Sequence, residues 1–415
     1  MRGLPCRPLI NGTLLLTCLW LTACASAPFR HQPLDSFDIV QRAEQQQSGD
    51  IRMRASVPSD DEAQQLFGIP IHERGIQAVW LEVSNQSDYR ARIVLSSIDR
   101  GYFPPMEVAY MFRKRFSTQG WMDLETYLYE NALPRQVMPG ETAAGFVFTH
   151  RDPGTKAFNV DISLAKEQQP LEQFTFFVSV PGFVPDHASV EFRSLYSPDE
   201  VRELDHDGLR RALEQLPCCS SDQAGVREGR PVAVVIVARG AEILQALLRS
   251  GWNETSYERD AEYLAAAEYL FSRPPDGIFR KGRDRTTERL ELALWLAPYR
   301  VDGKAVWFGQ TRHAIGRRYE IGELFLGVKL DPDMTEGRDY LLQDFWYGQA
   351  LQQWAWSASG TAVPSDAPRL DFSGNPWFIR DEYRLVMWLS GKPIALKNAT
   401  PIHWDRVVKS AEVAP

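Results

Sequence analysis

Glu291, His313, Asp331, Asp333 and Arg338 lie within one stretch of the chain and are the residue types a hydrolase would use. A carboxylate and an imidazole can pass a proton in a transition state, and a guanidinium can hold the oxygens of a phosphate or acyl group. Brought into one cleft, they would serve hydrolysis of lipid, glycan or phosphate groups. Each also has a plainer reading. Asp331-Pro332-Asp333 stands just before Thr335 and reads as a helix-entry turn, and Asp205-His206-Asp207 as the cap of the helix that follows it. His72-Glu73 has no second histidine one helical turn away, and no Gly-x-Ser-x-Gly elbow occurs. Cys218 and Cys219 are adjacent, a spacing at which a bridge is strained, so buried thiols are expected. No second cysteine pair at zinc-like spacing exists, and neither a metal site nor a cofactor is expected.

The elements that must position these residues form two domains, since a chain of this length is too long for one core. Strand-like runs at Ile76–Val83, Ala91–Ser97, Ala144–Thr149, Phe158–Ile162 and Phe174–Val180, with turns at Pro139-Gly140 and Pro181-Gly182, predict an antiparallel β-sandwich of immunoglobulin-like shape over residues 51–188. Met106–Phe116 and Met122–Ala132 read as helices at its edge. Residues 189–206 read as a linker. Beyond them, Pro231–Ala238 is a continuous apolar, mostly β-branched run of the kind buried on both faces. Gly240 then opens a helix, and Val301-Asp302-Gly303-Lys304 is a hairpin turn. Thr335–Trp356 is expected as the longest helix. The fold class is therefore α+β in two domains, the second a mixed layered domain over residues 207–405 with helices on one face of its sheet, followed by a tail, 406–415.

The N-terminal segment is a targeting signal. Arg2 and Arg7 precede the apolar run Leu14–Leu21, which is too short to span a bilayer stably. Leu21-Thr22-Ala23-Cys24 resembles the lipobox of bacterial lipoproteins, which implies removal of residues 1–23 and acylation of Cys24, palmitate included. Residues 24–50, with Gln45-Gln46-Gln47, read as a flexible tether. Ala25 after the cysteine points to the outer membrane, facing the periplasm. Losing Arg2 and Arg7 moves the net charge from −8 to −10, which disfavours nucleic acid as a partner. Arg113-Lys114-Arg115 is a compact basic cluster that reads as a solvated strand or helix edge, with contact to lipid head groups as the alternative.

Leu216-Pro217-Cys218-Cys219, Gly251-Trp252, Leu294–Pro298, Val306-Trp307, Gly309-Gln310, Ile315-Gly316, Leu330–Asp333, Arg338–Leu342 and Leu385–Ser390 resemble, in order and spacing, the LssY C-terminal domain, a bacterial envelope family. The family's polar Asn-His…Arg segment appears here as Leu290, Glu291 and Ala293, its Arg-Asp as His313 and Ala314, and its Thr-His as Gly327 and Val328. The resemblance thus implies that a family site, where one exists, has been lost in this chain. Two functions are expected: a non-catalytic, membrane-anchored binding or accessory module for another envelope protein, or the hydrolase above. In the first, Trp295, Trp307, Trp346 and Trp377 are the candidate contact residues, since aromatic side chains favour interfaces.

Overall fold

The computed structural model describes residues 27–404, apart from 153, 167–169, 258–263, 265, 283–287, 318–327 and 359–361. Cys24 and the 406–415 tail lie outside the described residues. The chain is mixed α+β with largely antiparallel sheets, and its contacts divide it into two units, residues 1–151 with 158–181, and residues 152–157 with 182–415. Among the described residues, no helix is long and apolar enough to cross a membrane.

The first unit holds two four-stranded sheets. One contains β1 (Glu44–Ser48), β2 (Ile51–Ser56), β3 (Ile76–Asn85) and β6 (Thr142–His150); the other contains β4 (Ala91–Val94), β5 (Gln136–Val137), β7 (Thr155–Leu164) and β8 (Glu172–Ser179). Their inner faces share a core in which Met53, Val79 and Leu81 meet Val160, Ile162, Phe174 and Phe176. The outer face of the first sheet is buried as well. Ala78, Trp80, Phe146 and Phe148 pack beneath α1 (Asp60–Phe67), α2 (Pro105–Phe112) and α3 (Thr118–Glu130). Burial on both faces explains why β3 carries four consecutive apolar residues, Ala78 to Leu81, rather than an alternating pattern there.

The expected tether is folded from residue 27 onward. Ile39 is fully buried, and β1 pairs with β2 from Glu44↔Ala55 to Ser48↔Ile51. The glutamine run misled because an edge strand is held by its backbone hydrogen bonds and needs no apolar side chains.

The second unit is built on one ten-stranded mixed sheet. Its spine runs β13 (Asn253–Glu254), β14 (Gly277–Gly282), β15 (Glu288–Val301), β16 (Lys304–Arg317), β12 (Val234–Val237), β21 (Tyr383–Leu389), β18 (Leu351–Ala358) and β22 (Thr400–Pro401), with β9 (Arg202–Leu204) on β15 and β17 (Val328–Leu330) on β16. Two further short pairs, β10 (Cys219–Ser221) with β11 (Glu228–Pro231) and β19 (Arg369–Leu370) with β20 (Pro376–Trp377), flank it. Every residue of β12 is buried, as the Pro231–Ala238 run requires. Asp302 and Gly303, both at positive φ, close the β15–β16 hairpin.

Helices cover both faces, not one. α5 (Gly240–Arg249) and α6 (Met334–Tyr347) lie with Val234, Ile236, Leu292 and Leu294, while α4 (His206–Glu214) packs Leu209 and Leu213 against Val235, Val237 and Val386 on the other side. α6 is shorter than the sequence suggested. It stops at Tyr347, Gln349 turns the chain at positive φ, and Leu351–Ala358 becomes a strand whose buried residues alternate.

Candidate functional site

The proposed acid-base set does not converge. β15 and β16 pair so that Glu291 stands opposite Arg312, and His313 opposite Leu290. Directly opposed residues share a face and successive ones alternate, so Glu291 and His313 project from opposite faces of the sheet. Glu291 is buried, with Arg280 Nε 2.7 Å and Arg289 Nε 2.8 Å from its carboxylate. Burial works against its charge, but Arg312, Arg280 and Arg289 outweigh that and hold its carboxyl at about 2. A carboxylate so engaged has no proton to give at neutral pH and little basicity to offer.

On the other face, His313 Nδ1 is 3.4 Å from Asp331, and the Asp331 N–H donates to the His313 carbonyl. Asp331 accepts the Asp333 N–H, and Asp333 caps α6 by accepting the Thr335 N–H while it pairs with Arg380. The helix-entry reading therefore holds for Asp331-Pro332-Asp333. Arg338 is 1% exposed, bonds both Asp381 oxygens at 2.7 and 2.8 Å, donates to the Tyr383 carbonyl and lies over the Trp356 ring. Its donors are committed to the protein, not to a ligand. His313 and Asp331 are thus brought together, while Arg338 answers a different carboxylate.

The candidate contact tryptophans differ in placement: Trp346 is half-buried and Trp307 lines a cleft, whereas Trp295 and Trp377 are interior. Trp295 and Trp377 are almost fully buried, Trp307 is 8% exposed, and Trp346 leans on Trp354. Cys218 and Cys219 form a disulfide, where buried free thiols were expected. Adjacency places their sulfurs within reach, and the backbone entering β10 decides whether they meet.

Residues of the supposed linker matter instead. Phe192, Tyr196 and Val201 wall a cleft of about 620 Å³ above the sheet, completed by Ile243 and Leu244 of α5, Phe279 of β14, Leu294 and Leu296 of β15, and Trp307 of β16. The alternation of Leu292, Leu294 and Leu296 signalled an apolar face; nothing local showed that α5 would leave part of it open. The polar groups around the cleft are mostly engaged. His187 pairs with buried Glu254 at 2.7 Å, and Tyr196 donates to the Leu296 carbonyl and accepts from Arg273. Arg193 and Arg300, both exposed at the rim, have no ion-pair or hydrogen-bond partner among the described residues.

A second, polar cleft of about 700 Å³ is lined by Lys281, Glu288, Arg289, Leu290, His313, Ala314, Glu336 and Tyr340. The departures at Leu290, His313 and Ala314 fall here, whereas Glu291 faces away. Lys281 is committed to Asp344 at 2.5 Å and to the Ser250 carbonyl. Another polar cluster, invisible in the sequence because its members are far apart in it, joins Ser220, Arg230, Glu268 and Gln310. Glu268 is fully buried and held at about 2 against its desolvation, chiefly by Arg230 and Arg312.

Residues 211–378, from α4 to just past β20, match the family described as the LssY C-terminus. The second unit therefore contains a domain similar to the LssY C-terminus. Both clefts are lined mainly by residues of that domain, although His187, Phe192, Arg193, Tyr196 and Val201 precede the matched segment. No curated protein matches the chain.

Proposed function

We propose that this protein is a lipid-anchored component of the bacterial cell envelope, held through Cys24 at the periplasmic face of the outer membrane, whose LssY C-terminal domain is a non-catalytic binding module. On this reading the first unit is an immunoglobulin-like scaffold between anchor and module, and the module serves another envelope component. The observation that carries the binding role is the cleft of about 620 Å³ walled by Phe192, Leu244, Phe279, Leu296 and Trp307. Its size falls in the range of sites that enclose small ligands, and its walls suit an aliphatic chain. Arg193 and Arg300 at its mouth suit a carboxylate or phosphate head, so the ligand class is an anionic amphiphile. The hydrolase reading is disfavoured because Glu291 and Arg338 are saturated by ion pairs and Glu291 faces away from His313.

The test is titration of the full-length protein with fatty acids of increasing chain length, followed by tryptophan fluorescence, beside a Leu244→Trp variant that fills the cleft. Saturable binding that strengthens with chain length and is lost in the variant supports the module. No saturable binding by an intact protein refutes it.

A further inference from the structure

The first described residues are pinned beside a basic turn. Ala27 forms a bridge with Phe116, and its carbonyl accepts the Ser117 N–H. Gly120 permits this approach, because a Cβ there would stand 3.0 Å from Phe29 N and 3.1 Å from Ala27 O. Phe29 and His31 then pack on Tyr127. Two residues, Ala25 and Ser26, lie between Cys24 and Ala27, so at most about 11 Å of extended chain separates that cysteine from the residue pinned against α3.

The turn between α2 and α3 carries Arg113, Lys114 and Arg115, and Arg74 joins Lys114 and Arg115 around a small hollow. Glu73 pairs with Arg115, whereas Arg74 and Lys114 have no carboxylate partner among the described residues. The acids of the helix pair, Glu107, Asp123, Glu125 and Glu130, are spaced along the helices away from this turn. The outer faces of the same pair expose Met106, Tyr110 (53%), Met122 (51%) and Tyr129 (70%). Tyr110 touches Trp121 across the pair and carries the Arg113 guanidinium 3.8 Å above its ring. Single exposed apolar residues are ordinary, but these four share one helix hairpin. Basic residues beside amphipathic aromatics are what a headgroup layer favours.

We infer that the outer face of α2 and α3, with the basic turn between them, rests on the anionic headgroup surface of the bilayer that holds the Cys24 acyl chains. The inference depends on the anchor reading above and adds to it an orientation: the hairpin faces the lipid. The short link makes this contact intramolecular in effect, so a weak surface affinity suffices once the chains are inserted.

The test uses full-length protein purified from bacterial membranes and reconstituted in phosphatidylethanolamine–phosphatidylglycerol vesicles doped with a photoactivatable phospholipid. Peptide mass spectrometry after illumination reads lipid adducts and the state of Cys24 in the same digest. Acylated Cys24 with adducts concentrated on α2, α3 and their turn is the expected result. Arg113→Glu with Lys114→Glu then lowers those adducts at least fivefold, since each basic residue near an anionic surface changes partition about fivefold. Tyr110→Ser with Met122→Ser, both at exposed positions, lowers them without altering charge. Adducts elsewhere, with Cys24 acylated, overturn the orientation and leave the anchor standing. Protein–protein cross-links on the hairpin in place of adducts do the same and point to a second copy. An unmodified Cys24 overturns the anchor and the inference together.

Discussion

Replacing Glu291 by glutamine separates an ionic support from a catalytic acid. The side chain is 12% exposed and touches Arg280 and Arg289, with Arg312 directly opposite on β16. Its carboxyl is lowered from 4.5 to about 2, which corresponds to about 3 kcal/mol of stability at neutral pH. Because the folded value lies below the unfolded one, that stability is complete above 4.5 and disappears as pH falls through 2. Glutamine keeps the shape but leaves the surrounding guanidinium groups without their counter-charge. Glu291→Gln should therefore lose about 3 kcal/mol at pH 7 by urea unfolding, and the difference from the parent protein should shrink towards zero by pH 2. Glu268 is also held at about 2 and shares Arg312 with Glu291, so a Glu268→Gln variant measured alongside separates the two contributions. Tryptophan fluorescence is a suitable probe because nine of the twelve tryptophans lie in the second unit. A variant within about 0.5 kcal/mol of the parent at pH 7, or a difference that does not change with pH, would refute the reasoning and return Glu291 to the list of groups able to exchange a proton.

Arg384, 3% exposed, donates to the carbonyls of Val232, Leu213 and Pro217, and burial pulls its pKa down to about 10. Arg384→Met strands three acceptors, two of them on the buried residues Val232 and Leu213, and should cost about 2–4 kcal/mol in urea after the relieved desolvation is credited; Arg384→Lys, unable to span all three, should fall between. Asp333→Ala removes the cap of α6 and should cost about 1–2 kcal/mol, while Asp333→Asn, which retains an acceptor, should cost less than half of that in thermal unfolding. Gly120→Ala should detach the Ala27–Phe29 segment from α3, seen as faster hydrogen exchange at the Ser117 amide with little change elsewhere.

Local chemistry made several elements legible before any tertiary contact was considered. Asp-Gly at 302–303 announced the hairpin, and Pro231–Ala238 announced a central strand. The failure of the acid-base set was not implicit in the turn: the register shifts between Leu296 and Arg300, and only the pairing beyond that shift, Glu291 opposite Arg312, puts Glu291 and His313 on opposite faces. The helix expected to reach Trp356 illustrates the limit. Its aromatic residues suit either a helix or a strand, and Gln349 at positive φ, with β21 alongside to pair, chose the strand.

The N-terminal motif, the two-part division and the order of the family's motifs belong to the sequence itself, because each depends on residues near one another along the chain. The tertiary structure alone decided that the polar run at Gln45–Gln47 pairs as an edge strand, that residues 187–201 wall a cleft, and that Arg338 answers Asp381. These depend on which surfaces meet across long chain separations, and burial and ion pairing settle that only when the whole unit has folded.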